Sequence, residues 1–133
     1  MSENNQYFSK SNNLLPSNEK IIYGKINEIS FKFKTDNGVF SKDFLDFASK
    51  LLLEKMDFEG LLDGAILDVG CGYGPIGIYA SYITKKAVVM LDINPRALAL
   101  SKENLSLNNV SGEVIEACTI LSLEYACEAL NQR

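Results

Sequence analysis

Between Ala65 and Gly77 an apolar run passes without a spacer into a stretch where every second residue is at first glycine: Ala65-Ile66-Leu67-Asp68-Val69-Gly70-Cys71-Gly72-Tyr73-Gly74-Pro75-Ile76-Gly77. The run reads as a short buried strand. The residues after Pro75 carry Ile76, Tyr79, Ala80 and Ile83 at helical spacing, so they read as a helix with one apolar face. A strand that turns so abruptly into a helix needs glycine for two reasons. Positive φ becomes accessible, and the absent side chains let another molecule approach the backbone.

The pattern then repeats its logic. Ala87-Val88-Val89-Met90-Leu91 is a second apolar strand. Asn94 is a good cap for a third helix with Pro95 in its first turn, where the missing N–H does no harm. Asn108-Asn109 closes that helix, and Glu113–Glu116 reads as a further strand. Strands alternating with helices at this spacing predict parallel strands joined by right-handed crossovers, an α/β class. Asp92, at the end of the second strand, falls twenty residues after Gly72. In a doubly wound sheet that brings a carboxylate to the same crevice, able to accept both hydroxyls of a ribose.

The first half of the chain is different. Residues 1–18 are rich in asparagine and serine and read as a loose leader on which Tyr7, Phe8, Leu14 and Leu15 are apolar exceptions. Ile29, Phe31, Phe33 and Thr35 alternate with polar residues, the period of a half-exposed strand, and Ile21–Ile26 can pair with it across Asn27-Glu28. Asp36-Asn37-Gly38 supplies a turn, Ser41 an N-cap, Phe40 and Leu45 a hydrophobic staple. Phe44, Phe47, Ala48, Leu51 and Leu52 predict one apolar stripe on the helix that follows. The expected organisation is a leader over 1–18, a hairpin and helix over 19–60, and an α/β half-domain over 61–133.

Composition removes several chemistries. The 133 residues contain no histidine, which excludes a Ser-His-Asp triad and a His-ligated zinc. Three cysteines, Cys71, Cys118 and Cys127, are too few for a four-thiolate metal site, and their spacing suits reduced thiols in the cytoplasm; no metal is expected. No run approaches the roughly 18 apolar residues of a membrane span, so no membrane partner is expected. A net charge of −4 argues against a chain whose main business is wrapping nucleic acid.

Gly72, Gly74 and Gly77 satisfy the Gly-x-Gly-x-x-Gly pattern of dinucleotide binders, so a nicotinamide cofactor has to be considered. Two residues count against it. Asp68 lies where a pyrophosphate would sit, and like charges 4 Å apart repel by about 4 kcal/mol at an effective dielectric of 20. Pro75 removes one of the helix N-terminal donors a phosphate uses. Both suit a ligand with a cationic amine and sulfonium and no phosphate, S-adenosyl-L-methionine.

The segments Leu67–Gly77 and Leu91-Asp92-Ile93-Asn94, with the helix Ala97–Asn108, resemble the class I SAM-dependent methyltransferases, which have a Rossmann-like fold. More closely they resemble the methyltransferase small domain family, which includes 16S ribosomal RNA guanine-N2 methyltransferases; Thr35-Asp36-Asn37-Gly38-Val39-Phe40-Ser41 is similar to that family's segment ahead of its first cofactor strand. The resemblance implies that Asp68 and Gly70 hold the methionine end, that Gly72 and Gly74 floor the pocket, and that Asp92 binds the ribose hydroxyls with Ile93 against the adenine. Cys71 and Tyr73 join the cofactor-binding set as members of the same turn. It also implies a place near the pocket for Asn37–Ser41 and a ribosomal RNA partner.

For a base amine acceptor the family is expected to carry an Asn-Pro-Pro motif after its fourth strand. The only Asn-Pro here is Asn94-Pro95. From Ala65 onward three strands are legible where the family has seven, and Ile120–Leu130 reads as a short helix capped by Thr119. Three readings follow: a methyltransferase whose chain is shortened, a cofactor-binding protein without catalysis that a partner completes, or a fragment of a nicotinamide oxidoreductase. A three-stranded sheet also leaves an open edge, from which association or poor solubility is expected. No catalytic residue can be named.

Overall fold

The computed structural model describes residues 18–36, 47–60 and 63–116, together with the helical positions Glu124, Glu128 and Asn131. The expectations for the leader 1–17, for the turn, cap and staple between Asn37 and Leu45, for Phe44, for the Phe47 and Ala48 side chains, for Thr119 and for Cys118 and Cys127 lie outside the described residues.

Strands β1 (Lys20–Ile26) and β2 (Ile29–Thr35) form an antiparallel hairpin in which Tyr23 faces Lys32 and Ile26 faces Ile29. Asn27 and Glu28 turn the chain with φ of 49° and 66°. Positive φ at both central residues matches the right-handed twist of the strands it joins, and asparagine tolerates it better than most side chains. One face of the hairpin is apolar: Ile26, Phe31 and Phe33 are buried, while Tyr23, Lys25, Ser30 and Lys32 on the opposite face are exposed.

Helix α1 (Phe47–Lys55) follows, then β3 (Ile66–Val69), α2 (Pro75–Thr84), β4 (Val88–Asp92), α3 (Pro95–Leu107) and β5 (Gly112–Glu116). The last three strands form a parallel sheet in the order β3-β4-β5, with α2 and α3 as its crossovers. Val88 and Met90 point from β4 toward these helices and are fully buried. The α/β expectation is met, with strand ends displaced by a residue.

Two apolar stripes fall differently from the periodicity. Among the described side chains of α1 the buried one is Leu53, at 0% exposure, whereas Leu51 and Leu52 are 44% and 53% exposed. The helix turns this position toward β1 and α2, its neighbours in the fold. In α2 the core residues are Gly77, Ile78, Tyr79, Ala80 and Ser81, and Ile83 lies at the surface. This helix is wedged between the sheet and the hairpin, so its buried arc is wider than a one-sided pattern allows. Tyr79 meets Phe31 edge-on at 5.7 Å, and its hydroxyl accepts from Asn27 Nδ2 at 2.8 Å, which ties the helix to the hairpin turn.

The hairpin is held to α3 by two asparagines one turn apart. Asn104 Oδ1 accepts from Lys34 N–H at 2.6 Å while its Nδ2 donates to the Lys34 carbonyl at 3.0 Å. Asn108 does the same to Lys32, at 3.2 and 2.8 Å. Each side-chain amide imitates a neighbouring strand, so β2's outer edge is satisfied by a helix.

Candidate functional site: a glycine-lined crevice between two carboxylates

The crevice opens at the C-terminal ends of β3 and β4, where Gly70–Gly74 crosses from the sheet into α2. The N–H of Cys71 donates to the Leu91 carbonyl at 2.8 Å, which anchors the start of the turn to the neighbouring strand. Gly70, Gly72 and Gly74 all take positive φ, at 72°, 59° and 105°. Their surroundings divide them. A methyl group added at Gly70 or Gly72 would meet no atom within 4 Å, so both face open space. At Gly74 it would lie 2.8 Å from Met90 Cε and 3.0 Å from Ile78 Cδ1, inside the core. Gly77 is equally crowded, with Asp68 Oδ2 at 2.7 Å and Val88 Cγ2 at 3.1 Å from that position. Two glycines therefore leave room for a ligand, and two let α2 close onto the sheet.

Asp68 and Asp92 flank this turn, and both already hold it. Gly74 precedes Pro75 as the N-cap of α2 and offers no side chain to cap it. Asp68 supplies the acceptor from β3 instead, taking the Gly77 N–H on Oδ2 at 2.9 Å. Asp92 accepts from Gly72 N–H on Oδ2 and from Asn94 N–H on Oδ1, both at 2.9 Å. A carboxylate has about four acceptor positions, so each retains capacity for a further donor. Burial pushes the Asp68 carboxyl up from 3.8 to about 6; the Gly77 N–H opposes that rise, and the neighbouring Asp92 charge adds to it.

The remaining residues of the predicted set separate by direction. Ile93 is partly buried just after β4. The Cys71 side chain turns inward, 7% exposed, with its Sγ 3.5 Å from Ser101 Oγ, and burial raises its thiol to about 12. Tyr73 also turns inward, its ring edge-on to Phe33 at 5.8 Å. The structure thus sets Asp68, Gly70, Gly72 and Asp92 around the turn, with Ile93 following Asp92 in the chain, and sends Gly74 and the side chains of Cys71 and Tyr73 into the core.

Two supporting residues escaped the sequence reading. Ser101 Oγ donates to the Gly72 carbonyl at 2.7 Å, and Asn104 Nδ2, fully buried, donates to the Tyr73 carbonyl at 2.7 Å. Their signal was present: they interrupt the apolar face of α3 at i and i+3, among Ala97, Leu98, Leu100 and Leu105. A buried polar residue at such a place needs a partner. Arg96, at the start of the same helix, has Nε 3.8 Å from Asp36 Oδ2, which draws the end of β2 toward the crevice. Among the described residues there is no cluster of acids and thiols able to hold a metal, and no helix is long and apolar enough to cross a membrane.

Known proteins share this fold. A solved structure of a T. thermophilus 16S rRNA N2 methyltransferase, in complex with AdoMet and guanosine, superposes with a TM-score of 0.64 at 27% identity, over 74% of this chain and 28% of that one. A Pyrococcus abyssi tRNA (uracil-54, C5) methyltransferase shares the fold with a TM-score of 0.57. The Bacillus subtilis protein "Uncharacterized protein YbxB" is 40% identical over 107 residues, 80% of this chain and 53% of its own length. "Ribosomal RNA small subunit methyltransferase C" of Erwinia tasmaniensis is 42% identical over 82 residues, 61% of this chain and 23% of its own. The chain thus spans about half the length of the first of these curated relatives and about a quarter of the second. The architecture is the Rossmann-like fold of methyltransferases, and a family model described as "Methyltransferase small domain" matches residues 30–125. The chain belongs to the methyltransferase small domain family.

Proposed function

We propose that this chain binds S-adenosyl-L-methionine in the Asp68–Asp92 crevice and serves methyl transfer to guanine N2 of small-subunit ribosomal RNA in the cytoplasm. In this reading 61–133 is the cofactor half-domain, 19–60 a hairpin and helix that brace it, and 1–18 a leader.

The observation that carries the choice of cofactor is how few donors α2 offers an anion. Pro75 has no N–H, that of Gly77 is given to Asp68, and that of Ile78 to the Gly74 carbonyl at 3.0 Å. A pyrophosphate at this helix start would find one first-turn donor, from Ile76, and a carboxylate in front of it. A cationic ligand meets the opposite situation. Asp68 accepts an ammonium, the open α-carbons of Gly70 and Gly72 let the ligand lie against backbone, and Asp92 accepts ribose hydroxyls beside Ile93. The cofactor supplies an activated methyl group on sulfur, whose departure needs little chemical assistance. The work left to the protein is to orient the donor and exclude water. Asp92 contributes to the first by fixing Gly72 and the β4–α3 junction together.

The acceptor assignment draws support from the rRNA methyltransferase relatives and from the guanosine bound in the T. thermophilus structure. Incubation with tritiated S-adenosyl-L-methionine and small ribosomal subunits, followed by nucleoside mass spectrometry, tests it. The reading expects N2-methylguanosine as the labelled product, formed slowly because the sequence has no Asn-Pro-Pro segment to receive a base amine. Label in another nucleoside would overturn the acceptor, and label in none would overturn the activity.

A further inference from the structure

The outward face of the hairpin has no role in the core or in the crevice, yet its chemistry is unlike the rest of the chain. Residues 20–35 contain four lysines and one glutamate, in a protein whose net charge is −4. Tyr23 stands on this face with 70% of its surface exposed, directly opposite Lys32 in the ladder. Lys25 lies two residues along β1 from Tyr23, at a diagonal cross-strand distance from Lys32 of about 7–8 Å. Lys34, on the same face, is engaged by Glu103 at 2.9 Å and Glu19 at 3.7 Å. Lys25 approaches Glu28 only at 4.0 Å, with both groups mostly in water, and among the described residues no carboxylate pairs with Lys32.

The face is also aimed. β2 lies against α3 with Lys32 bonded to Asn108, Lys34 to Asn104, and Asp36 beside Arg96. Passing along β2 from Lys32 to Asp36 therefore runs from the C-terminal end of α3 to its start, where Asp92 and Asn94 border the crevice.

We propose that this face is a track for single-stranded RNA leading to the crevice, with Lys25 and Lys32 neutralising phosphates and Tyr23 stacking on a base. The two lysines provide charge complementarity without sequence preference, and an exposed ring beside them is the usual platform for an unpaired base. The inference rests on RNA being the acceptor.

Fluorescence anisotropy with a short labelled single-stranded RNA of mixed sequence tests it. Tyr23→Ala weakens binding roughly tenfold, and Tyr23→Phe restores it, because stacking needs the ring and not the hydroxyl. Lys25→Gln with Lys32→Gln flattens the dependence of log affinity on log salt by about 1.4. Lys86→Gln, a charge loss on the loop before β4, leaves affinity close to wild type. Circular dichroism and the unfolding midpoint verify that each variant is folded. Hairpin variants that bind RNA with wild-type affinity and salt slope would overturn the track while leaving RNA as the acceptor. A wild-type chain that binds no RNA would overturn both.

Discussion

Replacing Asp68 by asparagine separates what this carboxylate does for the ligand from what it costs the fold. The amide oxygen introduced by Asp68→Asn can still accept the Gly77 N–H that the carboxylate takes at 2.9 Å, so the start of α2 keeps its cap. The charge is lost. In the native chain the carboxyl is raised from 3.8 to about 6, because burial disfavours its ionised form. A folded-state value above the unfolded one means that Asp68 supports folding fully below pH 3.8 and ceases to as pH rises through 6. Ionised Asp68 is then worse for the fold than its neutral form by about 3 kcal/mol. Asp68→Asn should therefore match wild type near pH 4 and exceed it by up to about 3 kcal/mol at pH 7.5, read by urea denaturation. Affinity should move the other way. A lost hydrogen bond to a charged partner is worth about 1.5–3 kcal/mol, so S-adenosylhomocysteine should bind roughly ten- to a hundredfold more weakly by calorimetry. A variant that is less stable at neutral pH and binds the ligand undiminished would refute this reasoning.

The same linkage predicts that wild-type affinity for the cationic ligand is complete above pH 6 and falls as pH drops through it, since protonation removes the charge the ammonium needs; calorimetry from pH 5 to 8 measures this. Gly74→Ala should lower stability by about 1–3 kcal/mol, because a side chain is strained at its φ of 105° and the ends of Met90 and Ile78 must also give way, whereas Gly70→Ala, strained by φ alone and facing open space, should lose ligand affinity out of proportion to its smaller effect on unfolding. Asn104→Ala leaves the Tyr73 carbonyl and the Lys34 backbone groups without their partner and should cost about 2–4 kcal/mol in denaturant titration. Cys71, with its thiol at about 12, should resist iodoacetamide at pH 8 until the chain unfolds, as peptide mapping would reveal.

Much of this arrangement could be read from the chain because local chemistry and global fold agree there. Asn27-Glu28 between two strand-like runs permits a tight hairpin, and Asn94-Pro95 caps and opens its helix with local groups alone. The crevice glycines were visible as a group, but their division was not. Gly72 and Gly74 look alike in sequence, and only the arrival of Met90 from the next strand makes one a packing residue and the other a ligand surface. Leu51, Leu52 and Leu53 are likewise indistinguishable until α1 meets its neighbours. Asp68 and Asp92 were read as ligand contacts, and the structure adds that both first fasten the turn they flank. Asn104 is legible as a polar break in the apolar face of α3, but its partner is not, because a strand edge sealed by a helix side chain has no periodic signature; its bonds span about seventy residues of sequence.

A phosphate-free nucleoside with a cationic amine is expected to lie on the open backbone at Gly70 and Gly72, with its amine at Asp68 and its ribose at Asp92. Amide NMR during ligand titration examines this directly. The Gly70, Gly72 and Ile93 resonances should shift saturably with S-adenosylhomocysteine and stay in place with NAD. Saturable shifts of these amides with NAD, and none with S-adenosylhomocysteine, would contradict it.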